Sequence, residues 1–244
     1  MEYAWRTDRG RIRAANEDAV AVFPESGLVI VADGIGGASA GDVASNLAVR
    51  AVSERFHIGN TLPADRQVAR RRAQEAVGAA NRAIWESAQT TEHHAGMGTT
   101  LVMGYACSDW LIFAYVGDSR LYRLRDGDLV QLTRDHSLIQ EVVDRGFFPT
   151  LEDAQHYGIN RNILTRGLGT GRSVAADFGE EDLRPGDLYL FCTDGLTGMV
   201  DDRNIRGMLL RADENLDLLT RSLVELACDS GGLDNITVAL LRVS

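Results

Sequence analysis

Five aspartates in this chain share a local setting that suits cation chemistry. They are Asp18 in Asn16-Glu17-Asp18, Asp33 in Val31-Ala32-Asp33-Gly34, Asp118 in Val116-Gly117-Asp118-Ser119, Asp194 in Cys192-Thr193-Asp194-Gly195, and Asp234 in Asp234-Asn235-Ile236-Thr237. Each stands beside a strand end or in a tight turn containing Gly or Asn. Taken singly, each reads more simply as turn chemistry, because Asp and Gly are common turn residues and Asp caps helices. The set says more. Asp33 and Asp194 directly follow the apolar runs Leu28–Ala32 and Leu188–Cys192, which read as buried strands. A carboxylate in that position costs free energy unless it is paired or bound to a cation. If the two strands are neighbours, their carboxylates converge at one sheet edge. The glycine after each leaves a backbone carbonyl accessible as a further oxygen ligand.

Oxygen-only donors select hard cations, Mg²⁺ or Mn²⁺. Two such ions ~3.5–4 Å apart can hold one water, generate hydroxide near neutral pH and offset charge on a phosphoryl group during in-line attack. The expected chemistry is phosphate ester hydrolysis without a covalent intermediate. Arg13 is the natural phosphate ligand, since a guanidinium grips phosphate oxygens in a fork. On its own, as one of several arginines in the N-terminal segment, it reads as a surface charge.

The elements that must position these residues follow from periodicity. Leu28–Ala32 is a short continuous apolar run and predicts a buried strand. Helices are expected over Gly41–Phe56 and Ala64–Ala88; in the second, Val68, Ala73, Ala76, Val77, Ala80 and Ile84 keep near-helical spacing. Strands follow over Thr99–Cys107, Trp110–Val116, Arg120–Arg125 and Leu129–Leu132, with Asp126-Gly127 as a type I′ turn between the last two. Ser137–Arg145 predicts a helix, and the stretch from 146 to 162 reads as irregular with a short helix near Leu151. Leu188–Cys192 is a buried strand, Arg203–Leu210 and Asn215–Cys228 are helical, and Ile236–Val243 closes the chain as a strand. There is no regular βαβ alternation. That order favours an α+β fold of mostly antiparallel sheets with helices packed outside.

Together these segments resemble the PPM, or PP2C-like, protein serine/threonine phosphatases, in particular the compact bacterial branch. Asp8–Asp18 is similar to the family's first motif, and Asp33-Gly34-Ile35-Gly36-Gly37 to its DGxGG metal motif. Gly96-Met97-Gly98-Thr99-Thr100, Gly117-Asp118-Ser119-Arg120 and Thr133-Arg134-Asp135-His136-Ser137 match in turn. So do Leu164-Thr165-Arg166-Gly167-Leu168-Gly169, Thr193-Asp194-Gly195-Leu196 and Gly231-Gly232-Leu233-Asp234-Asn235-Ile236-Thr237. Each is weak alone; eight in family order and near family spacing are specific.

The resemblance implies an αββα sandwich of two antiparallel sheets flanked by helices, formed as one domain over residues 1–244. It implies two core ions, Mn²⁺ or Mg²⁺, held by Asp33, the Gly34 carbonyl, Asp194 and Asp234. Asp118, with Asp194, would hold a weaker third ion, and Asp18 would act through a bound water. Asp33, Asp194 and Arg13 would carry the reaction, with Arg13 on the substrate phosphate. Residues 137–162 would form a flap beside the site. The implied activity is hydrolysis of phosphoserine and phosphothreonine on proteins by direct attack of water or hydroxide held by the ions. The implied partners are phosphorylated proteins and a cognate kinase of the eukaryotic type.

Two departures from the family pattern stand out. Many bacterial members carry His just after DGxGG, where this chain has Ala38, and Ile35 stands where some eukaryotic members place a candidate proton donor. No histidine of this loop can protonate the leaving alkoxide, so water on an ion, in particular the third, is expected to do so. The usual HPxRN before the LTR motif reads Gly158-Ile159-Asn160-Arg161-Asn162, with His156 displaced by two residues.

Composition narrows the remaining classes. The chain has 244 residues, 45% hydrophobic, and a net charge of -10, which argues against nucleic acid as a main partner. Apolar runs of about five residues fall short of the ~20 that span a membrane, and the opening residues lack a signal-peptide pattern. Cys107, Cys192 and Cys228 are far apart and odd in number, which predicts small core thiols of a reduced, cytoplasmic protein rather than a disulfide or CxxC metal site; a monomer is expected.

Rival readings are weaker. Gly34-Ile35-Gly36-Gly37-Ala38-Ser39 has the outline of a dinucleotide loop, but Ser39 replaces the third glycine and Asp33 would repel a pyrophosphate. Asp126-Gly127-Asp128-Leu129-Val130 matches the DxDxV of aspartyl-phosphate enzymes, but Arg123-Leu124-Arg125 precedes it instead of a buried apolar strand. His136 reads as a loop-fixing hydrogen bonder, and Arg70-Arg71-Arg72 as an exposed helix face. Two other functions stay in view: a domain that binds phosphoproteins without turnover, and a hydrolase of small phosphate esters or nucleotides.

Overall fold

In a computed structural model that describes residues 1–36, 40–57, 62–211 and 215–244, the chain forms two antiparallel sheets packed face to face between helices. The first sheet has the order β1-β11-β10-β7-β8, from Glu2–Asp8, Ile236–Arg242, Leu188–Cys192, Arg120–Arg125 and Asp128–Gln131. The second has the order β2-β3-β5-β6-β9, from Asp18–Phe23, Leu28–Ile35, Leu101–Cys107, Trp110–Val116 and Asp177–Asp182, with the short β4 (Gly98–Thr99) pairing β3.

Three apolar layers explain the order. Val29, Val31, Val102, Leu111, Leu121, Phe191 and Ala239 fill the space between the sheets. The alternate residues Leu28, Ile30 and Ala32 point the other way, onto α1 (Gly41–Phe56) and α2 (Arg66–Thr90). Strands buried on both faces need continuous apolar runs rather than alternation, which is why Leu28–Ala32 and Leu188–Cys192 are so legible. On the outer face of the first sheet lie α5 (Asp194–Thr197), α6 (Asp202–Leu209) and α7 (Leu216–Asp229). The expected αββα sandwich is the observed one.

The predicted helices α1, α2, α6 and α7 and strands β3, β5–β8, β10 and β11 form within a few residues of their expected bounds. The Asp126-Gly127 turn has φ of 51° and 85°, as a type I′ hairpin requires. Three strands escape the sequence pattern. β1 and β9 are sheet edges with mixed burial, so their apolar signal is diluted, and β2 is short and half-exposed over most of its length. Of the arginine run, Arg70 and Arg71 are exposed as expected, but Arg72 donates to the Phe56 carbonyl at 3.1 Å and so caps the end of α1.

The expected flap comprises α3 (Leu138–Asp144) and α4 (Leu151–His156), capped by Ser137 and Thr150. Its base is closed by the Ser137–Leu164 bridge and by Leu138 donating to Ile163 at 2.8 Å.

Buried Asn81 on α2 holds the loop that follows. Its Oδ1 accepts from the Gly169 N–H at 2.9 Å, and its Nδ2 donates to the Gly171 and Arg172 carbonyls at 3.1 and 3.3 Å. Replacing it leaves the buried Gly169 N–H unpartnered and frees two further backbone carbonyls. Asn81→Leu is expected to cost about 2–3 kcal/mol and to lower the melting temperature by about 5–10 °C in thermal unfolding. A loss below about 1 kcal/mol would show that the loop is held by other contacts.

Candidate active site

The two sheets bring their carboxylates to one edge of the sandwich. Asp18 opens β2 and Asp33 lies near the end of β3, directly opposite it in the antiparallel register. Like charges facing across a strand pair are destabilising, so this register needs a compensating charge. From the other sheet, Asp194 follows β10 at the first turn of α5, and Asp234 precedes β11, which neighbours β10. Asp118 lies in the turn that carries the chain from β6 in one sheet to β7 in the other, after Gly117 at φ 98°. Asp33, Gly34, Asp118, Asp194, Asp234 and Arg13 all line one pocket of about 440 Å³. Asp18 lies behind it, 8% exposed.

The surroundings fix each carboxylate differently. Asp18 Oδ2 accepts from Thr237 Oγ1 at 2.7 Å and from Thr193 Oγ1 at 3.0 Å. Its Oδ1 is buried without a partner, and so is Asp194 Oδ1. The Asp33 backbone is pinned by Thr99 Oγ1 donating to its carbonyl at 2.8 Å and by its own N–H donating to Thr100 Oγ1 at 2.9 Å. Burial, reinforced by the neighbouring aspartates, raises the pKa of Asp33 well above the ordinary range. Burial likewise pushes Asp18 up to about 7, opposed by the two threonine hydrogen bonds. Asp118 also rises to about 7 through burial and the charges of Asp194 and Asp135. Asp194 is raised by burial and by Asp234, and is partly relieved by a hydrogen bond from Asp33. Burial and mutual repulsion thus act in the same direction on these carboxyls, and among the described residues Arg13 is the only cation ion-paired with the cluster.

Unpartnered buried carboxylate oxygens, raised carboxyl pKa values and an accessible glycine backbone form a donor set that fits a divalent cation. Among the described residues, no three His, Cys, Asp or Glu side chains converge closely enough to hold an ion by themselves. One reason is visible: Asp234 is drawn onto Arg13, whose Nη2 donates to its Oδ2 at 2.7 Å. The Arg13 guanidinium is about half-exposed and thus faces both Asp234 and solvent.

The glycines mark close approach. A Cβ on Gly34 would fall 2.2 Å from the Gly41 carbonyl oxygen and 2.6 Å from that of Glu17, so α1 begins hard against the pocket. Gly37 of the DGxGG segment, and Ala38 and Ser39 after it, lie outside the described residues. Ile35 lines the pocket as an apolar wall. No histidine lines this pocket or the groove beside it, among the described residues.

Several residues hold the site that the sequence marks only as members of motifs. Asn235 accepts from the Glu17 N–H at 2.8 Å and donates to the Arg9 and Ala15 carbonyls, both at 2.9 Å, stapling the Arg13 segment to β11. Thr193 and Thr237 orient Asp18. Glu17 itself lines the pocket, and nothing but its place beside Asp18 marks it in the sequence. Arg120 and Asp135 form a two-pronged ion pair beneath Asp118, with contacts of 2.7–3.1 Å. His136 is buried, accepts from the Gly117 N–H at 3.1 Å and meets Asp177 at 2.9 Å. It fixes the Asp118 turn, as expected of a loop-fixing hydrogen bonder.

A groove of about 400 Å³ continues from the pocket between the flap helices and α5, sharing Asp118, Asn162, Asp194 and Asp234 with it. Such a pocket, crowded with carboxylates, edged by a guanidinium and opening into a groove, has the donor types that cation-dependent phosphoryl chemistry needs, on an αββα scaffold. Comparison with known proteins gives the family. The protein phosphatase 2C family model matches residues 10–225, and the chain belongs to that family.

Among its relatives, the serine/threonine phosphatase stp of Listeria welshimeri is 38% identical over 248 residues, covering 99% of this chain and 96% of the relative. The serine/threonine protein phosphatase PstP of Mycobacterium tuberculosis is 39% identical over 243 residues, covering all of this chain but only 45% of the relative's length. A crystal structure of the PstP catalytic domain in complex with two manganese ions superposes with a TM-score of 0.87 at 36% identity, covering 100% of this chain and 98% of that one. The domain formed here is therefore a protein phosphatase 2C domain similar to the compact bacterial members, in a metal-dependent family.

Proposed function

We propose that this chain, acting as one catalytic domain over residues 1–244, hydrolyses phosphoserine and phosphothreonine on proteins at the Asp33–Asp194–Asp234 pocket. The observation that carries the reading is the convergence of five aspartates from both sheets on one edge, with two buried carboxylate oxygens unpartnered. Asp33, the Gly34 carbonyl, Asp194 and Asp234 would hold two Mn²⁺ or Mg²⁺ ions. Asp118 with Asp194 would hold a weaker third. Asp18, with one oxygen fixed by two threonines and the other free, would act through water.

The ions, when bound, supply acidified water and offset charge on the phosphoryl group. The chain's own residues do the rest. Arg13 would release Asp234 to the ions and turn its fork to the substrate phosphate, which its half-exposed position permits. The Thr99 and Thr100 hydrogen bonds keep Asp33 in place while that happens. Protonation of the leaving alkoxide falls to water, since no histidine lines the pocket among the described residues.

The natural substrates would be phosphoproteins of a signalling system with a cognate eukaryotic-type kinase. The free thiols of Cys107, Cys192 and Cys228 agree with a reducing, cytoplasmic setting, and we take the enzyme to be a monomer. No helix among the described residues is long and apolar enough to cross a membrane.

The test is phosphopeptide hydrolysis across a metal series, with p-nitrophenyl phosphate and a nucleotide as comparison substrates. Turnover is expected with Mn²⁺ or Mg²⁺, to vanish with EDTA, and to favour phosphopeptide over nucleotide. Arg13→Ala is expected to lower kcat/KM by about 100-fold, the loss of one bidentate charged contact. Metal-independent turnover, or equal preference for the nucleotide, would overturn the reading.

A further inference from the structure

A second cleft, of about 420 Å³, lies away from the carboxylate pocket, between the exposed face of α2 and the loop before β9. Arg82 forms one wall and Arg172 the other, and no carboxylate lines it. Neither guanidinium has an ion pair or hydrogen bond among the described residues, whereas Arg55, Arg66 and Arg166 are paired with Glu75, Asp182 and Asp177 respectively. Arg71 is exposed on the same helical stripe as Arg82, and Arg70 lies over the Phe178 ring at 6.0 Å, with Phe178 and Val174 giving the cleft an apolar side. In a chain of net charge -10 such a local excess of positive charge is the exception.

The cleft is built rather than incidental. Asn81 fixes the loop that carries Arg172 through three hydrogen bonds. On the facing helix, Gly78 forms the floor, and a Cβ added there would meet nothing within 4 Å. A mid-helix glycine costs roughly 0.5–1 kcal/mol relative to Ala, and here it keeps the cleft open between the two guanidinium groups.

We propose that this cleft is a second oxyanion site that receives another phosphorylated residue of the same protein substrate. The proposal rests on the phosphatase reading above. Two unpaired guanidinium groups on opposing walls match the multidentate demands of a phosphate dianion, and no carboxylate of the chain lines the cleft to neutralise them. The loop ties the cleft to the catalytic pocket. A Cβ on Gly167 would lie 3.6 Å from Ile35 Cδ1 at the pocket wall, and Arg172 follows five residues later. Five residues span at most about 17 Å, so an extended substrate segment of about five to eight residues reaches both sites.

The experiment compares Mn²⁺-loaded enzyme on a peptide with one phosphoserine and on the same peptide carrying, about six residues away, a second phosphoryl group as a non-hydrolysable phosphonate. The second group is expected to lower KM about 10-fold, equivalent to about 1.4 kcal/mol. The double variant Arg82→Glu, Arg172→Glu is expected to abolish that advantage while leaving p-nitrophenyl phosphate turnover unchanged. Gly78→Leu, which fills the floor without altering charge and favours the helix, is expected to abolish it too, with no loss of melting temperature.

No advantage in the wild type at any spacing tried, or an advantage that survives both variants, overturns the second site and leaves the catalytic reading intact. If inorganic phosphate at moderate concentration removes the advantage from the wild type without inhibiting the monophosphorylated peptide, the cleft takes the oxyanion itself, as proposed. If the enzyme turns over neither peptide, the catalytic reading has failed. The second site is then judged by fluorescence anisotropy, where tighter binding of the doubly charged peptide to wild type than to the variants supports it and equal binding refutes it.

Discussion

Asp194→Asn is expected to lower Mn²⁺-dependent phosphopeptide turnover by about 1,000-fold or more, a loss of at least about 4 kcal/mol of transition-state stabilisation. At the same time it is expected to make the metal-free protein more stable. Both effects follow from one geometry. Asp194 shares the pocket with Asp33, Asp118 and Asp234, carries a buried oxygen with no partner, and is held up in pKa by burial and by Asp234. Converting it to Asn removes a negative charge from a cluster that repels itself, which relieves the metal-free fold, and removes a donor that a cation needs. Phosphopeptide kinetics would give the first effect. Thermal unfolding in EDTA near neutral pH would give the second, as a rise of about a few degrees. A variant that lost activity and also lost metal-free stability would show that Asp194 is a structural residue, and the charge argument would fail. An ordinary core substitution moves both readouts downward together, so the opposite signs are diagnostic.

The second large effect is a pH dependence that metal inverts. Asp18 and Asp118 are each raised to about 7 in the fold by burial, against about 3.9 in an unfolded chain. Below about pH 4 both states carry the protons and these groups contribute no slope. Between about pH 4 and 7 the folded protein holds protons that the unfolded chain has released, so metal-free stability falls as pH rises through that window. Above about pH 7 the penalty is fully present and the slope from these two groups ends. Asp187 and Asp144 work in the opposite sense. Asp187 is lowered by the hydrogen bonds and charge of Arg125 and by the Arg184 backbone, against the cost of burial, and Asp144 is lowered by its hydrogen bond from Arg134. Their contribution is lost only as pH falls below the ordinary carboxylate range.

A cation competes with the protons on the cluster, so Mn²⁺ is expected to stabilise little at about pH 5.5 and most at about pH 8.5. The measurement is the melting temperature in EDTA and in excess Mn²⁺ across that range. The gap between the two is expected to widen steadily with pH, by several degrees in all. A gap that stayed constant, or that closed toward alkaline pH, would mean that the ion does not displace protons from these carboxylates.

The sequence by itself determined the architecture and the identity of the charged residues. Continuous apolar runs at Leu28–Ala32 and Leu188–Cys192, too short for a typical helix, read as strands covered on both faces, and the helical spacing along α2 names its own buried side. Asp-Gly and Gly-Asp steps at the ends of those strands mark turns where a carboxylate is both near the core and near the surface. Those are local properties, carried by neighbours in the chain, and periodicity reads them directly. Edge strands such as β1 and β9 carry little signal because almost none of their residues is fully buried, so neither a continuous apolar run nor a clean alternation develops.

Only the tertiary structure decided which aspartates meet and on what terms. That Asp18 sits opposite Asp33 depends on a strand register, and that Asp194 joins Asp234 depends on β10 and β11 being neighbours. That Asp18 turns one oxygen to Thr193 and Thr237 and leaves the other bare depends on contacts more than 170 residues apart in sequence. Arg13 was recognisable as a phosphate ligand only through resemblance; its grip on Asp234, 221 residues away, is a distance that no local pattern contains. The arginine cleft between α2 and the loop after Gly169 is of the same kind. Arg82 and Arg172 lie 90 residues apart, and Asn81 brings the second to the first by hydrogen bonds that exist only in the folded chain. Pairing energies between distant residues are decided by register and packing, and a carboxylate in a linear sequence has no way to show which other charge it will face.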